Sequence, residues 1–270
     1  MKLLSGTELA GYIKERQAKQ VRNLRQSWNV RPKLAIIQTI DSAVIDTYVR
    51  LKQAYGDDIL VDVEVHKITQ ADIFTTIDEL NGDDSVHGII IQLPLENTDE
   101  TVRAVNSVDP AKDVDGLNEK TTFTPATPLA IDWLLAGFSV DLAQKKIAIV
   151  GRGRLVGAPL AKLWQDQNQD VTVFDKTSDV SAQHMQQYDI IVTAVGKPNL
   201  ISSEDVQIGA VVIDAATSSE NGKIVGDVAP DVRQRDDLTI TPEKGGVGPL
   251  TVAALFDNLI TAARRVADAS

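Results

Sequence analysis

Short apolar runs alternate with amphipathic stretches along most of the chain, and this alternation is its strongest structural signal. The runs LAIIQTI (34–40), ILVDVEVH (59–66) and VHGIIIQLPL (86–95) read as strands. The stretches 43–55, 70–81 and about 98–106 between and after them read as helices. Upstream, Ser5 followed by Glu8 reads as a capping box, opening a helix that runs to about residue 23. The rhythm returns later. KKIAIV (145–150), VTVF (171–174), DIIVTAV (189–195) and AVVIDA (210–215) are predicted strands, and a helix near 129–138 leads into the first of them. Near-continuous apolar strands alternating with helices imply an α/β fold with a mostly parallel sheet covered on both faces. From 250 to 267 the spacing is helical again, with Val252, Leu255, Phe256, Leu259, Ile260 and Ala263 on one face.

Two segments break the rhythm. DPAKDVDGLNEKTTFTPATP (109–128) carries three prolines and many polar residues, and TPEKGGVGP (241–249) is rich in glycine and proline. Both read as crossings between domains. They divide the chain into 1–122 plus 250–270 and a second domain at 123–249. A length of 270 residues fits two domains of roughly 150 residues each. It is also long enough to bury about three quarters of the unfolded surface without disulfide or metal staples.

Composition narrows the chemistry. Cysteine is absent, which removes disulfides, zinc–thiolate sites, iron–sulfur clusters and cysteine nucleophiles together. His66, His87 and His184 are the only histidines, so no metal centre is expected. No window reaches 18 apolar residues, so a membrane span is not expected. The N-terminus has no apolar core long enough for a secretory signal, and a cytoplasmic protein is expected. With 27 basic and 38 acidic residues the net charge is -11, a field that repels polyanions and argues against nucleic-acid partners. An anionic ligand would need its Lys and Arg partners gathered locally.

Strand KKIAIV runs straight into Gly151-Arg152-Gly153-Arg154-Leu155-Val156-Gly157, which a predicted helix follows. In that strand–loop–helix setting, Gly151 permits a tight turn and Gly153 lets the backbone approach a pyrophosphate. The helix N-terminus adds its free amides and positive dipole end. The spacing is GxGxxxG, a variant expected to loosen the helix–strand junction. Asp175 ends the next strand, 24 residues after Gly151. A carboxylate there either bonds the ribose hydroxyls of NAD or merely caps a turn, whereas Arg152 and Lys176 suit the extra phosphate of NADP.

Tyr48 and Lys52 lie four residues apart on a predicted helix and project from one face. They are either an exposed surface pair or a functional one. A Tyr-xxx-Lys pair also marks short-chain dehydrogenases, but there it follows the nucleotide loop, and here it precedes it by about a hundred residues. Gln92 stands at the C-terminal end of a predicted parallel strand, where open α/β sheets bind ligands. Asp113 and Asp115 sit in KDVDG, which also reads as a structural turn.

Taken in order, Tyr48-Val-Arg-Leu-Lys52, Gly88-Ile-Ile-Ile-Gln92-Leu-Pro-Leu, Lys112-Asp-Val-Asp115-Gly, Gly151-Arg-Gly-Arg-Leu-Val-Gly-Ala-Pro159 and Gly245-Gly-Val-Gly-Pro-Leu-Thr251 resemble a known set of signatures. They are those of the bifunctional methylenetetrahydrofolate dehydrogenase/methenyltetrahydrofolate cyclohydrolases. The likeness runs from about residue 34 to 260, and KDVDG and GGVGPLT are its most specific parts. It implies an N-terminal α/β catalytic domain that takes folate in a cleft, a Rossmann-like nucleotide-binding domain, and a C-terminal helix returning to the first. It further implies NADP as cofactor, with NAD the alternative, tetrahydrofolate derivatives as ligands, and a homodimer.

By the same resemblance Lys52 matches the catalytic lysine and Tyr48 the aromatic packed on the folate. Gln92 matches the amide beside the lysine, and Asp115 the carboxylate holding the pterin. Leu93, Gly245, Gly246 and Pro249 fall among the substrate-binding positions. Gly151, Arg152, Gly153, Leu155, Val156, Gly157, Asp175, Lys176, Ala194, Val195, Gly196 and Thr217 fall among the nucleotide-binding ones. This chain departs from the family at several points. Gly153 replaces a serine, Pro125-Ala126-Thr127-Pro128 replaces PCTP, and Pro242-Glu243-Lys244-Gly245-Gly246 replaces PVPGG. The stretch from Gly116 to Pro125 is short, and the glycine and Pro-Ala-Ser usual before Tyr48 are missing. Two other readings stay open: a two-domain dehydrogenase of the shikimate dehydrogenase-like type, and a folate- or nucleotide-binding protein without catalysis.

Overall fold

The computed structural model describes residues 1–178, 182–216, 218–220 and 223–269. Its first half runs β1 (Lys2–Leu3), α1 (Gly6–Ser27), β2 (Lys33–Gln38), α2 (Ala43–Ile59), β3 (Asp62–Lys67), α3 (Ile73–Gly82), β4 (Gly88–Ile91) and α4 (Thr101–Ser107). Next come α5 (Ala126–Gly137), β5 (Lys146–Val150), α6 (Gly157–Asp166), β6 (Asp170–Phe174), α7 (Ala182–Met185), β7 (Ile190–Thr193) and β8 (Val211–Asp214). The chain ends with β9 (Ser218–Glu220), β10 (Lys223–Val225), β11 (Thr239–Ile240) and α8 (Val247–Ala269). It forms two compact units, Gly11–Ala126 with Val252–Ser270, and Met1–Ala10 with Thr127–Thr251.

The first of these units is built on a parallel sheet of order β3-β2-β4. Central β2 is buried from Leu34 to Gln38 and β4 throughout, which is why their sequences read as continuous apolar runs. Edge strand β3 alternates instead, with Asp62 and Glu64 exposed. The predicted strand 59–66 starts too early. Buried Ile59 ends α2, and Leu60 turns the chain in a left-handed cap at φ 66°, so one apolar run spans a helix end and a strand start. The predicted strand 86–95 likewise shortens to β4. From Val252 onward α8 belongs to this unit. Phe256 stacks on Tyr55 with ring centroids 5.0 Å apart, and Asn258 Nδ2 donates to the carbonyls of Val114 and Thr124, each at 2.9 Å.

The second unit is a six-stranded parallel sheet of order β1-β11-β8-β7-β5-β6. The predicted domain range 1–122 assigned the N-terminus elsewhere. β1 instead pairs with β11, and Leu4, fully buried, donates its N–H to Ile240 O at 2.9 Å. Two-residue strands carry no periodicity to read, so β1 and β11 have no sequence signal. The chain passes between units at 10/11, 126/127 and 251/252, whereas the sequence predicts crossings only at 122/123 and 249/250. Most of segment 109–128 is held within the first unit by the two Asn258 hydrogen bonds. No helix among the described residues is long and apolar enough to cross a membrane.

Candidate active site and family

Helix α2 buries Ile45, Val49 and Ile59 and leaves Tyr48 and Lys52, one turn apart, half-buried beside that apolar stripe. The Lys52 Nζ donates to Gln92 Oε1 at 2.7 Å. Gln92 follows β4 directly, and its backbone N–H donates to Ile37 O at 2.8 Å, prolonging the ladder by one residue. Its side-chain position is therefore set by the end of the sheet. The next peptide bond, Leu93–Pro94, is cis, and Leu93 is half-buried.

The KDVDG turn divides its labour. Ile89 N–H donates to Lys112 O at 2.8 Å, tying the turn to β4. The Lys112 ammonium donates to the carbonyls of Leu80, Asn81 and Asp83 at 3.0, 2.8 and 2.8 Å, closing the C-terminal end of α3. Asp113 is buried, and its Oδ2 accepts the Asn118 N–H at 2.9 Å. Lys112 and Asp113 therefore build the turn that carries Asp115.

Asp115 and Lys52 act on each other electrostatically. Burial lowers the Lys52 amine from its ordinary range, with the Asp115 carboxylate opposing the shift. Burial pushes the Asp115 carboxyl up to about 6, against the pull of Lys52 and with a push from Asp113. Desolvation outweighs attraction for both groups. Burial thus already favours the neutral amine of Lys52.

In the nucleotide unit, Gly151 has φ 107°, and a Cβ there would lie 2.7 Å from Ala194 O. Gly157 opens α6, and a Cβ there would lie 1.8 Å from Gly151 O. The helix therefore starts in backbone contact with the loop. The GxGxxxG spacing does not loosen this junction: position 157 lies so close to Gly151 O that a Cβ would not fit there. Gly153 has no atom within 4 Å of a Cβ position, so an anion can approach the backbone there. Residues 152–155 are exposed, Val156 is half-buried, and these features fit a dinucleotide pyrophosphate.

The description "Tetrahydrofolate dehydrogenase/cyclohydrolase, catalytic domain" matches residues 4–115, and its NAD(P)-binding domain matches residues 125–267. The chain belongs to this family. It is 36% identical to the bifunctional protein FolD of Staphylococcus saprophyticus over 97% of this chain and 96% of the relative. It is similar to the crystal structure of the FolD methylenetetrahydrofolate dehydrogenase/cyclohydrolase from Campylobacter jejuni, with a TM-score of 0.92 and 34% identity over 98% of this chain and 99% of that one. The Trypanosoma brucei dehydrogenase–cyclohydrolase, complexed with NADP and an inhibitor, matches with a TM-score of 0.90 and 29% identity over 98% and 97%.

Asp175 serves its own turn. Its Oδ1 accepts the Thr177 N–H at 2.9 Å, the Thr177 hydroxyl at 2.6 Å and the Ser178 hydroxyl at 3.1 Å. These bonds hold the carboxyl below its ordinary range, with Arg152 a smaller contributor. Lys176 is exposed. Ala194, Val195 and Gly196 form the loop after β7. Gly245 O accepts the Thr7 N–H at 3.0 Å, Gly246 is buried beside it, and Pro249 stands in the first turn of α8. These last three belong to the nucleotide unit, whereas Lys52, Gln92 and Asp115 belong to the other. Thr217 lies outside the described residues. The described residues hold no cluster of three or more metal-ligating side chains. One residue escaped sequence reasoning: Asp227 takes three backbone amides of the loop after β7.

Proposed function

We propose that this enzyme oxidises methylenetetrahydrofolate to methenyltetrahydrofolate with NADP, and hydrolyses the methenyl product to 10-formyltetrahydrofolate. The observation that carries the reading is the 2.7 Å bond from Lys52 Nζ to Gln92 Oε1, on an amine whose burial favours its neutral form. Family membership over both units favours it over a shikimate dehydrogenase-like enzyme or a non-catalytic binder.

The neutral Lys52 amine takes a proton from the water that adds to the methenyl carbon. The resulting ammonium returns it to the folate nitrogen whose bond to that carbon breaks, while the added hydroxyl releases its remaining proton to solvent as the formyl C=O forms. Gln92, through its oxygen, keeps the amine aimed without adding charge. Asp115, when ionised, accepts neighbouring N–H donors of the pterin as a charge-assisted pair. Tyr48 offers a ring face to the folate. Bound oxidised nicotinamide supplies the hydride acceptor, and holding it close to the methylene carbon does most of the work of that step. Arg152 and Lys176 favour NADP, since the Asp175 carboxylate is engaged in its own turn. In this reading the partner is a second copy of the chain and the compartment is the cytoplasm.

The test is to mix the protein with methylenetetrahydrofolate and either NADP or NAD, quench in acid and measure methenyl product. Product with NADP is expected. No product with either nucleotide would reject the reading. A pH dependence follows as well. The Asp115 carboxyl titrates at about 6, so its ionised form is lost as pH falls through that value. The apparent affinity for folate should therefore drop about tenfold for each pH unit below it. The same shift means the folded chain binds more protons than the unfolded one between the ordinary carboxylate range and about 6. Asp115's contribution to stability accordingly falls as pH rises through that window. Folate affinity that is flat from pH 7 to 5 would remove Asp115 from the binding role.

A further inference from the structure

After β7, the N–H groups of Val195, Gly196 and Lys197 converge on the Asp227 carboxylate, at 2.8 Å to Oδ2 and at 2.9 and 2.7 Å to Oδ1. Successive amides aimed at one point form an anion-binding nest of the kind that takes phosphates. Here the chain's own side chain fills the nest, and Asp227 is fully buried.

Asp227 is itself held in place. Its N–H donates to Asp214 Oδ1 at 3.1 Å and that of Val228 to Asp214 Oδ2 at 3.2 Å. Arg233 donates through Nη2 to the same Oδ2 at 2.8 Å, and through Nη1 to Thr241 O at 2.9 Å. A Cβ at Gly226 would lie 2.0 Å from Asp214 Oδ2, so a larger residue there would displace the carboxylate that holds Asp227. A buried network thus ties the loop after β7 to the segment that follows β11.

The ligand consequence is specific. With three amides spent on Asp227, the 194–197 loop has none of them left for a phosphate. It offers carbonyl oxygens and the exposed side chain of Val195. In an open parallel sheet a dinucleotide straddles the crevice where the strand order reverses. That point lies between β5 and β7, with β6 on the other side of β5. The glycine loop after β5 suits the pyrophosphate and the β6 side the adenosine, which leaves the loop after β7 to the nicotinamide and its carboxamide N–H donors.

We propose that Asp227 is a positioning residue for the nicotinamide half of the nucleotide, turning the loop after β7 into a fixed edge that accepts hydrogen bonds. The inference rests on the functional reading above for which nucleotide is bound. Asp227→Asn replaces one acceptor oxygen with a donor group that faces another donor, so the nest cannot be fully satisfied. NADP affinity by calorimetry should fall about tenfold, the worth of one such hydrogen bond. Affinity for 2′,5′-ADP, which lacks the nicotinamide, should stay within about twofold. Hydrolysis of methenyltetrahydrofolate, which uses no nucleotide, should also persist. Parallel loss of both affinities, or an unchanged NADP affinity, would overturn the proposal.

A measurement on the unmutated protein covers the case in which the variant does not fold. In the free protein the amides of Val195, Gly196 and Lys197 should exchange slowly with solvent, and NADP should add little to their protection. Fast exchange that slows strongly on NADP binding would mean the amides serve the ligand instead. If the unmutated protein binds NADP but turns over no folate, the functional reading fails while the two affinities still decide the role of Asp227.

Discussion

Lys52→Met is expected to lower the hydrolysis of methenyltetrahydrofolate by about a thousandfold, within the range that a positioned acid–base group contributes. Methionine keeps the length and much of the volume of the side chain while removing the titrating amine. The effect should therefore appear in kcat more than in KM. Folding should survive, because burial already disfavours the Lys52 charge and its removal relieves that cost. The opposing loss is one hydrogen bond to Gln92, roughly 1 kcal/mol. The melting temperature should accordingly move by only a few degrees. Turnover that survives the substitution would end the assignment of Lys52 as the proton carrier. A collapse of the melting temperature would mark the residue as structural.

Asp115→Ala should weaken folate binding about a hundredfold, from the loss of a charge-assisted pair of hydrogen bonds at roughly 1.5 kcal/mol or more each. NADP affinity, measured without folate, should stay within about twofold, since Asp115 belongs to a different unit from the glycine loop. The variant carries a second signature. Asp115 holds the Lys52 amine up against burial, so without the carboxylate the amine falls further and the hydrolysis profile shifts to lower pH. Calorimetry with each ligand and a pH profile check both points. Equal loss of folate and NADP affinity would show that Asp115 supports the fold rather than the ligand.

The two carboxylates of KDVDG illustrate what sequence can and cannot separate. Two residues apart in one turn, they look alike in sequence. In the structure Asp113 spends its carboxylate on the Asn118 N–H, while Asp115 is coupled to Lys52. The site lysine and its amide are likewise 40 residues apart. No local period spans that distance, so their pairing was readable only through the likeness of whole motifs to a family. Asp175 shows the opposite case: the turn reading, available from sequence, describes its hydrogen bonds.

The hydrophobic pattern alone determined the α/β class, the parallel character of both sheets, and the strands β2, β4, β5 and β7. Those strands are buried on both faces, so a continuous apolar run is the direct imprint of their surroundings. Tertiary structure alone decided the rest. It paired the two-residue β1 with β11, ended α2 inside an apolar run, and drew the Asn258 amide onto the carbonyls of Val114 and Thr124. It also filled the amide nest after β7 with Asp227. Apart from the end of α2, each of these depends on partners 30 to well over 100 residues distant, whose identity a periodic signal of two or 3.6 residues does not encode.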